Sequence, residues 1–115
     1  MRTLDDDIVV IRHRFGCQIS RDDIRESLRT IQARYPERRL LLVDHRQRYD
    51  LDWSAVNELD GLDYFRAIAV LTYSEIARLE VEGACNYIDF PVPFEVFKDL
   101  DKALKFLRGT DRGEP

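Results

Sequence analysis

The stretch Pro91-Val92-Pro93-Phe94-Glu95-Val96-Phe97-Lys98-Asp99-Leu100-Asp101-Lys102-Ala103-Leu104-Lys105-Phe106-Leu107 decides the fold. Its first part reads as a short strand ending at Phe97. Its second part carries apolar residues at 100, 103, 104 and 107, the spacing of one helix face. The acidic turn between them suits a helix N-terminus, where a carboxylate accepts from otherwise unpaired backbone N–H groups. Pro91 and Pro93 have no N–H to give to a ladder, so this strand belongs near a sheet edge. A strand running straight into a helix is the repeating unit of an α/β domain.

The same unit recurs upstream. Ala67-Ile68-Ala69-Val70-Leu71 and Leu40-Leu41-Leu42-Val43 are apolar on both faces, as strands covered by helices must be. Ile8-Val9-Val10-Ile11 is a β-branched strand, continued with partial alternation through Arg12, His13, Arg14 and Phe15 to Gly16. Residues 1–4 form a short partner strand, turned by Asp5-Asp6-Asp7.

Between strands, Ser20 is placed to cap a helix whose Ile24, Leu28, Ile31 and Tyr35 make one stripe, ended by Pro36. A polar loop over residues 45–50 leads to Asp52, the cap of a short helix with Ala55, Val56 and Leu59. Ser74 caps a further helix with Ile76, Leu79, Gly83 and Tyr87 on its packed face, Gly83 permitting close approach. The order β-α-β-α-β-α-β-α predicts a single-domain mixed sheet of four or five strands, with parallel central strands and about four helices. The domain spans residues 1–108, and 109–115 read as a flexible C-terminal tail.

A chain of 115 residues is one domain, burying roughly two-thirds of its unfolded surface without metals or disulfides. Its 44% hydrophobic and 35% charged residues suit a compact fold rather than a disordered tail. The net charge of -4 argues against nucleic-acid binding through a basic surface. Cys17 and Cys85 lie far apart with no CxxC spacing, and a zinc site would need both of them with His13 and His45. They read as reduced core thiols, so no metal is expected. The acidic start Asp5-Asp6-Asp7 is unlike a signal peptide, and the aliphatic runs at 8–11 and 40–43 are too short to span a bilayer. A cytoplasmic location is the expectation, with no transmembrane segment.

With that order, the chain resembles the STAS/SpoIIAA-like family, in particular bacterial members that are also similar to the Sec14 lipid-binding fold. The resemblance runs from Ile8 to Leu107. It is carried by Ile8-Val9-Val10-Ile11-Arg12, Leu41-Leu42-Val43-Asp44, Arg66-Ala67-Ile68-Ala69-Val70 and the stretch from Phe97 to Leu107. It implies a regulatory, protein-interacting module rather than an enzyme. Antagonists of that family carry a phosphorylated serine directly after an aspartate at the end of a central strand. Here the matching Asp44 is followed by His45, so the phosphoswitch is expected to be absent.

The chemistry-bearing residues gather after two strands. Arg12, His13 and Arg14 end the first long strand; His45, Arg46 and Arg48 follow the second. If those strands are parallel neighbours, both groups meet at the carboxyl edge, where open α/β sheets place ligands. Arg12, Arg14, His45, Arg46 and Arg48 are therefore the candidate contacts for an anion or a partner. The competing reading is a solvated rim neutralised by Asp44, Asp50 and Asp52, which the interleaved carboxylates favour.

A second pattern, Asp44, Thr72 and Lys98 each following a strand, imitates a phospho-acceptor receiver. That chemistry needs an acidic pair after the first strand to hold Mg²⁺, where this chain has Arg12-His13-Arg14. The five glycines form no dinucleotide, P-loop or nucleophile-elbow motif. Cys17 near His13 reads as a structural thiol. Trp53, Tyr64 and Phe65 could line a lipid-like pocket but are more simply core. The expectation is a non-enzymatic module without cofactor, acting on a protein partner and with self-association open. A small anionic or lipid-like ligand is the alternative.

Overall fold

The computed structural model describes residues 2–4, 7–12, 18–19, 21–46, 50–51, 62–86 and 88–111. In chain order these are β1 (Arg2–Leu4), β2 (Ile8–Arg12), β3 (Gln18–Ile19), α1 (Arg21–Arg34), β4 (Leu40–Asp44), β5 (Asp50–Leu51), a 3₁₀ turn (Leu62–Tyr64), β6 (Ala67–Leu71), α2 (Glu75–Cys85), β7 (Phe94–Phe97) and α3 (Leu100–Asp111). The main sheet has the order β1-β2-β4-β6-β7. Strands β2, β4, β6 and β7 are parallel, and β1 adds antiparallel to β2 with Thr3 opposite Val9. This is the expected α/β class, with β4 and β6 at its centre.

Alternation along the strands divides the core in two. Ile8, Val10, Leu40, Leu42, Ala67, Ala69 and Leu71 face α3, which buries Ala103 and Leu107 among them. Val9, Leu41 and Ile68 face the other way and pack on Leu28 and Ile31 of α1, with Ile24 and Tyr35 at its ends. That is the expected stripe of the first helix. Its cap Ser20 lies outside the described residues. Val70 and Val96 continue the same layer under Val81 and Cys85 of α2. So α1 and α2 cover one face and α3 crosses back beneath the other.

Caps fix where two of these helices begin. Ser74 Oγ accepts from the N–H of Ala77 at 3.1 Å, and Asp99 Oδ1 accepts from the N–H of Asp101 at 3.0 Å. The amino end of the sheet is tied by Asp7, which pairs with Arg66 and, at 3.9 Å, with Arg39. Arg38 Nε and Nη2 donate to the carbonyls of Tyr64 and Phe65 at 3.0 and 2.8 Å, clamping the 3₁₀ turn.

Three expectations change. The packed face of α2 is Ala77, Val81 and Cys85, not Ile76, Leu79 and Gly83, which point outward. Val81 and Cys85 pack over Val70 and Val96, and Ala77, one turn before Val81, is buried on the same face. Asp50 is not in a loop but opens β5, which pairs in parallel with β3. Helix α3 runs on through Gly109 to Asp111, past the expected start of the tail. The helix expected at residues 52–60, and Tyr87, lie outside the described residues.

The phase of α2 is checked by chemical denaturation. Leu28→Ala, which empties a buried site on α1, should cost about 2–5 kcal/mol. Leu79→Ala should change stability by no more than about 0.5 kcal/mol. A large loss at Leu79 would restore the expected packed face.

Candidate functional site

The carboxyl edge of the sheet is organised by Asp44, the last residue of β4, whose side chain is only 2% exposed. Parallel register sets Asp44 beside Arg12 of β2 and Leu71 of β6. Arg12 Nε and Nη2 donate to Asp44 Oδ2 at 3.0 and 2.7 Å. Arg46, two residues on, wraps back: its Nε and backbone N–H donate to Oδ1 at 2.9 and 3.2 Å, and its Nη2 to Oδ2 at 2.9 Å. One carboxylate thus holds two guanidinium groups.

Burial alone would raise the Asp44 pKa, but the hydrogen bonds from Arg46 and then Arg12 outweigh it and lower it to about 2. The same contact raises Arg46 above its ordinary value, the bond to Asp44 outweighing the cost of burial. Such charge-assisted bonds favour the ionised carboxylate throughout the neutral range.

The neighbouring positions extend this edge. The His45 N–H donates to the Leu71 carbonyl at 2.7 Å, and the His45 side chain is buried. Thr72, fully buried after β6, gives its hydroxyl to the Phe97 carbonyl at 3.0 Å. Lys98 lies 3.7 Å from Glu75, which also pairs with Arg78. The receiver-like trio Asp44, Thr72 and Lys98 does line up along the edge. Its aspartate is engaged by two arginines, its threonine by a carbonyl and its lysine by Glu75.

Of the candidate contacts, Arg12, His45 and Arg46 come together here. Arg14 and Arg48 lie outside the described residues, as do His13, Cys17, Asp52 and Trp53. Asp50 is described only as part of β5, not by its side chain. Phe65 is core and stacks edge-on against Tyr64, with ring centroids 5.1 Å apart. The Tyr64 hydroxyl lies between the carbonyls of Tyr35 and Glu37, which share its one proton. These two rings therefore join α1 to the 3₁₀ turn. Cys85 is buried in the α2 interface, and that burial pushes its thiol up to about 12, far from a nucleophile's range. Among the described residues no group of three or more His, Cys, Asp or Glu is placed to hold a metal. No helix among them is long and apolar enough to cross a membrane.

A second surface was not anticipated. Tyr73, Ile76 and Leu79 are 49%, 71% and 54% exposed, and they are the exposed large hydrophobics among the described residues. All three fall within the first turns of α2 and the residues before it. The signal was present in the sequence as two apolar stripes on one helix, 76-79-83 and 77-81-85, of which only one can face the sheet. No family model, curated protein or solved structure matches this chain.

The Asp44 clamp has a pH signature. Its folded-state pKa is depressed, so its contribution is complete above the unfolded value near 3.8 and is lost as pH falls through about 2. Both guanidinium partners are more than two-fifths exposed, so solvent screening reduces that contribution to about 1–2 kcal/mol. Urea midpoints of the wild type and Asp44→Asn should therefore differ above pH 4 and converge toward pH 2. A gap independent of pH would show that the ion pairs add nothing.

Proposed function

We infer that this chain is a non-enzymatic, STAS-like module that acts through contact with a protein partner. The observation that carries this reading is the exposure of Ile76 and Leu79 on the outer side of α2, with exposed Tyr73 just ahead of the helix cap. Large hydrophobic side chains gathered on one exposed helix face mark interaction surfaces more than single exposed residues do. The strand order supports the same reading. Nucleotide-binding α/β sheets bind where the strand order reverses, whereas here β2, β4, β6 and β7 follow one another in sequence across the sheet. The family resemblance adds the regulatory character, without the phosphoswitch, because His45 follows Asp44.

A second reading, a small anionic ligand at the carboxyl edge, is favoured by one observation. Two arginines share one carboxylate there, leaving one positive charge on side chains 45% and 42% exposed. Forked donors of this kind can recognise phosphate or carboxylate, though Asp44 competes for them.

Photo-crosslinking separates the two. A photoreactive phenylalanine analogue at position 79, exposed to extract of the native cell, should yield a discrete protein adduct that the same probe at position 105 does not. Phosphate should leave the melting temperature unchanged. No adduct at position 79, together with phosphate stabilisation of about 2.7 kcal/mol at a hundredfold excess over its dissociation constant, would favour the ligand reading. That stabilisation should then vanish in Arg46→Ala.

A further inference from the structure

We propose that the outer face of α2 receives a basic amphipathic helix from the partner protein, its apolar side chains lying over Ile76, Leu79 and Gly83 and its cations against the flanking glutamates. The proposal rests on the reading of that strip as a contact surface and adds the chemistry of what covers it.

Three features of α2 are costly for an isolated helix and become favourable under such a partner. The first is Ile76 and Leu79, three residues apart on the face opposite Ala77, Val81 and Cys85. The second is Gly83, one turn on from Leu79. A side chain there would meet nothing within 4 Å, so nothing in this chain requires glycine at that position. Glycine inside a helix is unfavourable relative to alanine, and its bare backbone lets a second helix approach closely.

The third is charge. Glu82 stands in the last turn of α2, beside the negative end of the helix dipole, with Glu80 at mid-helix, and the last turn has no basic residue. Arg78 answers Glu82 and Glu75 on one flank, at 2.6 Å to Glu82. Glu80, on the other flank, forms no ion pair among the described residues. With Arg78 and Lys98 set against Glu75 and Glu82, the balance of charge around the strip is still acidic through Glu80, which is complementary to apolar residues edged by lysine or arginine.

A second copy of this chain suits the strip poorly. Two-fold pairing is isologous, so each acidic flank would face its own copy. Each chain also carries a net charge of -4.

The test is an NMR titration of the full chain with a helical peptide of about 18 residues, about five turns, bearing leucines on one face and lysines elsewhere. A twin peptide carries glutamates in place of the lysines. The lysine peptide should shift the amides of Tyr73, Ile76, Leu79, Glu80 and Gly83, and the glutamate peptide should not bind. Leu79→Ser should weaken the lysine peptide about tenfold, the loss expected of a central interface residue. Glu80→Lys should weaken it as well. Gly83→Ala should raise the melting temperature yet weaken binding, a pairing that a merely structural glycine would not give.

Equal binding of both peptides to the strip would overturn the basic occupant while leaving a contact surface. A lysine peptide that failed to bind, or that shifted α3 instead, would overturn the proposal outright. A concentration-dependent dimer abolished by Leu79→Ser would assign the strip to a second copy and overturn it. The crosslink at position 79 is read independently, so loss of the peptide result alone leaves the contact-surface reading standing.

Discussion

A single buried carboxylate carries the geometry of the carboxyl edge. Asp44 sits at the end of a central strand with neighbours on both sides, where an unpaired charge would be strongly destabilising. Arg12 comes from the strand beside it and Arg46 from the turn after it, so satisfying this one charge fixes the register of β2 and the path of the chain leaving β4. The amino edge repeats the device with Asp7 between Arg39 and Arg66. Hydrophobic burial supplies most of the stability of such a sheet. These two acids specify how its ends are closed.

The order of strands then decides where function can reside. Sequential crossovers place α1 and α2 on one face and leave α3 to cover the other. Among the described residues the order of the parallel strands does not reverse. Two outer features stand out among the described residues: the half-exposed Arg12 and Arg46 at one edge, and the outer side of α2. The second is apolar, and it lies on a helix whose inner side is already committed to Val70 and Val96.

Much of this was legible in the chain. The uninterrupted apolar runs at 40–43 and 67–71 read as central strands, and the two prolines before Phe94 pointed to an edge position, which β7 occupies. Ser74 and Asp99 announced helix starts because short polar side chains compete for free N–H groups. The convergence of Arg12 with Arg46 followed on the condition that their strands are parallel neighbours, as β2 and β4 are. The orientation of α2 did not, since both of its stripes have helical spacing. Individual hydrophobicity pointed to Ile76 and Leu79, whereas the buried stripe is Ala77, Val81 and Cys85. Nor could the sequence show that Asp44 would draw in both arginines, because that depends on register across a separation of 32 residues.

The small ladder of β3 with β5 has a consequence of its own. Strands β2 and β4 pair with Arg12 opposite Asp44, and after both chains leave the sheet Gln18 pairs with Asp50 in the same 32-residue offset. The connecting stretches, residues 13–17 and 45–49, are equal in length. Their lengths are therefore coupled. An insertion in one alone would slide the outer ladder by one position and turn each of its side chains to the opposite face. A matched insertion in both would preserve it. Across distant relatives, this part of the chain should gain and lose residues in pairs, as two rails of one track must.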